Sequence, residues 1–135
     1  MDDAKCEALK AELASQPEPQ LVSIDRFFDG NDDLGSIGCN LTDHPGIYTF
    51  RDILTRLLRR PDVKAVYAQI SELDPGEGCW PFTDTVIVVG SISLDEFRNS
   101  VNPLDPSEVA TAEQFGVSPS IAKMHGAPAL AVWWD

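Results

Sequence analysis

Apolar positions along this chain follow two rhythms. Ile47, Phe50, Ile53, Leu54, Leu57 and Leu58 recur at helical spacing, with Arg51, Asp52, Arg56 and Arg59 on the other side. This predicts a helix over about Pro45 to Arg60, with Pro45 in its first turn and Pro61 stopping it. Val66, Ala68 and Ile70 alternate with Tyr67, Gln69 and Ser71, which predicts a strand over 63–73. Residues 85–92 hold the run Val86-Ile87-Val88-Val89, apolar on both faces as in a central strand. Ala129 to Trp134 reads as a final strand with Leu130, Val132 and Trp134 on one face.

Weaker signals fill the gaps. Residues 3–14 favour helix by propensity but carry a thin apolar stripe, so residues 1–20 read as an N-terminal helical extension that docks weakly. Leu21 to Ile24 reads as a short strand or lead-in, and Asp25 to Phe28 as a helical turn. Ser36 to Leu41 reads as the first core strand, with Gly38 marking a bulge or a close approach. Ser93-Leu94-Asp95-Glu96 matches a capping box and starts a short helix. A further helix is expected from Asp105 to Gly116, and an irregular stretch from Val117 to Pro128.

Taken in order, residues 21–135 form one α+β domain of the type β-α-β-β-α-β. That is the ferredoxin-like order, an antiparallel sheet with helices on one face. The strand at 85–92 is expected between those at 36–41 and 63–72. One of its faces should meet the helix at 45–60. The other should be covered by the N-terminal 28 residues or by a second subunit, so a homodimer is one expectation. Trp133 and Trp134 are consecutive in a strand and must point to opposite faces.

Charge narrows the partners. The chain has 135 residues and a formal charge of −12, with 22 acids against 10 lysines and arginines. This balance repels nucleic acid and anionic membranes, and it attracts a basic protein. The charge is uneven: residues 44–64 carry net +3, so a basic helix sits in an acidic chain. Three widely spaced cysteines, Cys6, Cys39 and Cys79, imply no disulfide framework. The start has no signal pattern and no apolar run reaches spanning length, so a cytoplasmic location is expected.

Three residue groups are candidates for a site. Asp29, Asn31, Asp32 and Asp33 suggest a cation loop. The register of a calcium-binding loop fails, however: Leu34 stands at the turn glycine and Asn40 at the bidentate glutamate. Cys39, Asp43 and His44 are the best polar set for a ligand or an enzyme site. Glu77, Trp80, Phe82 and Asp84 place aromatic rings beside acids on a long hairpin loop, a pattern suited to partner binding. The alternative for Trp80 and Phe82 is inward packing. No nucleophile elbow, phosphate-binding loop or short-spaced zinc motif is present, so no cofactor and no catalytic residue is assigned.

The runs FFDGNDDLGSIGCNL, WPFTDTV and VWWD resemble those of a small, functionally uncharacterised bacterial family, over residues 21–135. The resemblance implies no activity for any residue. The reading that follows is a non-enzymatic, acidic protein-binding module, with an immunity or antitoxin-like inhibitor of a basic partner as its concrete form. A small-ligand-binding protein or enzyme on a ferredoxin-like dimer is the alternative.

Overall fold

The computed structural model describes all of residues 1–135. In chain order the elements are α1 (Asp3–Ala14), β1 (Leu21–Ser23), α2 (Ile24–Phe28), α3 (Ile47–Leu58), β2 (Val63–Glu72), β3 (Phe82–Gly90), α4 (Leu94–Val101), β4 (Glu108–Thr111), α5 (Ser120–His125) and β5 (Ala129–Trp133). The strands form one sheet in the order β1-β2-β3-β5-β4, and every pairing in it is antiparallel. The α+β class is therefore as expected, and the apolar strand β3 is the middle strand of five.

The alternation along each strand sorts the core into two. Val66, Ala68, Val86, Val88, Leu130, Val132 and Trp134 face the larger cluster, shared with Phe50, Leu54 and Leu57 of α3. Ala65, Ile87 and Val89 face a smaller one. Trp133 lies between two residues of the first face and so points to the second, opposite to Trp134, as the strand period requires. Trp134 is anchored: its indole nitrogen donates to the Leu104 carbonyl at 2.9 Å, and its ring meets Phe50 edge-on at 5.3 Å. Gly90 ends β3 where backbones touch. A Cβ there would stand 2.2 Å from the Asp62 carbonyl oxygen, so no side chain fits without moving the chain.

The ferredoxin-like order is not the one found. Residues 36–41 are not a strand. Leu34–Ser36 form a 3-10 turn, and only Ile37 touches the sheet, through one parallel bridge to Thr83. Gly38 then turns the chain at φ +67°, and a Cβ there would lie 2.9 Å from both Leu41 and Phe50. The neighbours of β3 are therefore β2 and β5. Nor is 105–116 a helix. Its apolar residues Val109 and Ala110 pair with Val132 and Ala131, which makes β4 the edge strand beside β5. The open edge of β5 offered a full set of backbone partners, and that outweighed local helix preference.

The second face is covered from within the chain, by α5 and not by the N-terminus. Ile121 of α5 joins Ala65, Ile87 and Val89 in the smaller cluster, with Val117, Ala127 and Tyr67 packed around it. The stretch expected to be irregular thus supplies the lid. The N-terminal helix is also not a weakly docked extension. Cys6, Leu9 and Leu13 are at most 2% exposed and belong to the main core. Each leucine so buried contributes about 1.5–3 kcal/mol. Lys5–Asp29, Lys10–Asp74 and Arg26–Glu12 ion pairs, at 2.7, 3.0 and 2.9 Å, ring the helix, and with their carboxylates exposed they add little. No helix is long and apolar enough to cross a membrane.

Candidate functional site

The acidic loop after α2 is spent on its own structure. Asp29 binds Lys5 at 2.7 Å, and Asp32 meets the Met1 amine at 2.8 Å. The Asp29 carboxyl is held below its usual range by the hydrogen bond from Lys5. Asn31 is buried. Its amide nitrogen donates to Ser36 Oγ and the Phe27 carbonyl, and its oxygen accepts from the Asp33 backbone at 2.9 Å. Asp33 accepts from the backbone N–H groups of Gly35 and Trp80 at 3.0 and 2.9 Å. The four side chains therefore share no common partner. No group of three or more His, Cys, Asp or Glu is gathered to hold a metal ion. Asp29, Asn31, Asp32 and Asp33, expected as a cation loop, instead spend their side chains on pinning the loop to α1 and to the hairpin.

His44 has a structural job as well. Its Nε2 lies 2.7 Å from the Ile37 carbonyl, and its Nδ1 accepts from the Gly46 N–H at 2.9 Å. One ring nitrogen donates and the other accepts, which is the neutral imidazole. Gly46 precedes α3 at φ +102°, so His44 fixes the entry to the helix. Cys39 and Asp43 are exposed and make no side-chain bond with His44. The set Cys39, Asp43 and His44 is thus not a joined site.

The hairpin between β2 and β3 is divided. Trp80 is 0% exposed and cannot present its ring to a partner, so its inward alternative holds. Its Nε1 is buried without a hydrogen-bond partner. Glu77 stands exposed, while Phe82 and Asp84 are half-buried and line one groove.

These last two belong to a groove that the fold assembles from distant segments. A cavity of about 300 Å³ is lined by Cys39, Glu72, Phe82, Asp84, Trp133 and Asp135, among others. β2 and β3 bring Glu72 beside Phe82 by register, and β5 sets Trp133 opposite Thr85. β4 then places exposed Glu108, outside the lining itself, directly across from Trp133. No lysine or arginine lines the groove, and Glu72, Asp84, Asp135 and Glu108 take part in none of the ion pairs. Carboxylates and the two aromatic residues Phe82 and Trp133 line one groove, a composition suited to a cation.

A family model described as the uncharacterized protein YfbO family matches residues 4–132. This chain belongs to the YfbO family. The uncharacterized protein YfbO of Escherichia coli (strain K12) is 26% identical over 124 residues, covering 88% of this chain and 84% of that one. No solved structure matches. The YfbO match begins at residue 4, so it takes in α1, in keeping with the burial of Cys6, Leu9 and Leu13 in the common core.

Trp133 and Glu72 in the groove, and Glu108 beside it, carry no signal in the sequence that joins them. Each sits on a different strand, and only pairing register joins them. One signal was available: in Ala129 to Trp134 a large aromatic residue falls on the face opposite the core stripe.

Proposed function

We propose that this protein is a non-enzymatic, protein-binding module that captures a basic partner, as immunity or antitoxin-like inhibitors do. The observation that carries this reading is the groove of unpaired acids around Trp133 and Phe82. A lysine or arginine of the partner enters it, stacks on an aromatic face and meets Glu72, Asp84 or Glu108. The formal charge of −12 steers the encounter and makes association sensitive to salt. A reducing compartment such as the cytoplasm suits three free cysteines. The ligand-binding or enzymatic alternative through Cys39, Asp43 and His44 has less support, because both ring nitrogens of His44 are taken by backbone groups.

The test is affinity capture from source lysate at low salt, run beside a variant carrying Glu72→Lys and Glu108→Lys. Both residues are exposed, so the fold tolerates the change. A basic protein retained by the natural chain, released by salt and lost on the variant is the expected result. Retention of the same proteins by the variant rules the groove out.

A further inference from the structure

We propose that a second groove, between α2 and the outer face of α3, binds a phosphoryl group through Arg51 and Arg59. The groove encloses about 580 Å³, and its lining includes Ser23, Asp25, Arg26, Arg51, Thr55 and Arg59. Arg51, Thr55 and Arg59 are spaced four apart on α3 and therefore share one face, with about 12 Å of helix between the two arginines. Two long side chains thus flank the hydroxyl of Thr55 from either side. Across the groove, Ser23 makes no capping bond with its hydroxyl.

What sets this place apart is that two unpaired arginines line one groove. Lys5, Lys10, Arg26, Arg60 and Arg98 are all joined to carboxylates. Arg51 and Arg59 are joined to none; the same holds for Arg56, Lys64 and Lys123, which lie outside this groove. Of the other charges here, Arg26 is held by Glu12 at 2.9 Å and Asp29 by Lys5 at 2.7 Å. That leaves two guanidinium groups without a carboxylate, Arg59 and Arg51, the latter 6.0 Å from the centre of the Tyr48 ring, against Asp25 alone. A carboxylate is satisfied by a single guanidinium fork, whereas a phosphoryl dianion has enough oxygens for two arginines and a hydroxyl. Asp25 disfavours a bare anion beside it and accepts a hydroxyl or amine of an attached organic group. The site is independent of the acidic groove, which lies on other elements.

The experiment is an NMR titration of the full chain at constant ionic strength, following the side-chain Nε–Hε signals of arginine. The probes are inorganic phosphate, glycerol 3-phosphate and acetate at low-millimolar concentration. The expected result is saturable shifts of the Arg51 and Arg59 signals with the phosphates and none with acetate. Removing one arginine by Arg51→Ala or Arg59→Ala should weaken binding about tenfold. Both residues are exposed, so an unchanged melting temperature serves as the control for folding. Tighter binding of glycerol 3-phosphate than of phosphate supports the proposal and makes the source an organic phosphate ester. The reverse order supports it with the free ion as source. Unmoved arginine signals, equal shifts with acetate, or unchanged affinity in both variants would overturn it.

Discussion

The Tyr67 hydroxyl lies 2.8 Å from Nε2 of His125, joining β2 to the last turn of α5. This bond clips the α5 segment onto the second face of the sheet, over Ile87 and Val89. Lys64 adds a bond from its ammonium group to the His125 carbonyl at 3.0 Å.

The α5 lid should therefore behave as core. Ile121→Ala should destabilise the fold by about 2–4 kcal/mol, because it leaves a void over Ile87. Tyr67→Phe, which removes only the hydroxyl, should cost about 1 kcal/mol. Urea unfolding of the two variants measures both. An Ile121→Ala protein as stable as the natural chain would show that α5 does not seal this face.

His44 should matter for stability rather than for activity. His44→Ala removes both backbone contacts and frees the start of α3, with an expected loss of about 1–3 kcal/mol. His44→Asn, which keeps a donor and an acceptor on a shorter side chain, should recover part of it. Denaturant midpoints decide the matter, and a neutral His44→Ala would sink this assignment.

Acid should weaken the fold through its paired carboxylates. The hydrogen bond from Arg60 lowers the Asp62 carboxyl, and that from Lys5 lowers Asp29. A carboxyl more acidic when folded adds stability that is present above its unfolded value, about 4, and is lost as pH falls through the folded value. The melting temperature should drop as pH falls below about 4. Asp62→Asn and Asp29→Asn should each flatten part of that drop, which calorimetry across the acid range will read.

Thiol reactivity should separate the three cysteines. Cys39 is exposed on the rim of the acidic groove, while Cys79 is half-buried. Cys6 is buried, donates to the Cys79 carbonyl at 3.4 Å, and is pushed up in pKa by that burial. Iodoacetamide should modify Cys39 first and spare Cys6 until unfolding. Peptide mass mapping over time gives the order. The Cys39 adduct should also weaken capture of the basic partner, since it fills the groove.

Some capping signals were legible and still changed use. Ser93 caps α4 as expected, accepting from the Glu96 N–H at 3.1 Å. Glu96 does not complete the box, because its carboxylate pairs with Arg60 thirty-six residues away. A local motif names the partners a residue can have, and the fold chooses among them.

The sequence by itself determined the α+β class, the helix α3, the strands β2, β3 and β5, and the faces on which their residues fall. Those follow from the period of apolar positions, a local property strengthened by burial. Pairing decided the rest. Residues 108–111 became an edge strand because β5 had an unpaired edge, and 36–41 stayed a turn because Asn31, Asp33 and Gly38 tie that chain locally. The lid of Val117 and Ile121 over Ile87, the inward turn of Trp80 and the acidic groove around Trp133 each join residues far apart in the chain. No local pattern encodes such contacts, since their free energy appears only when the sheet has set its register.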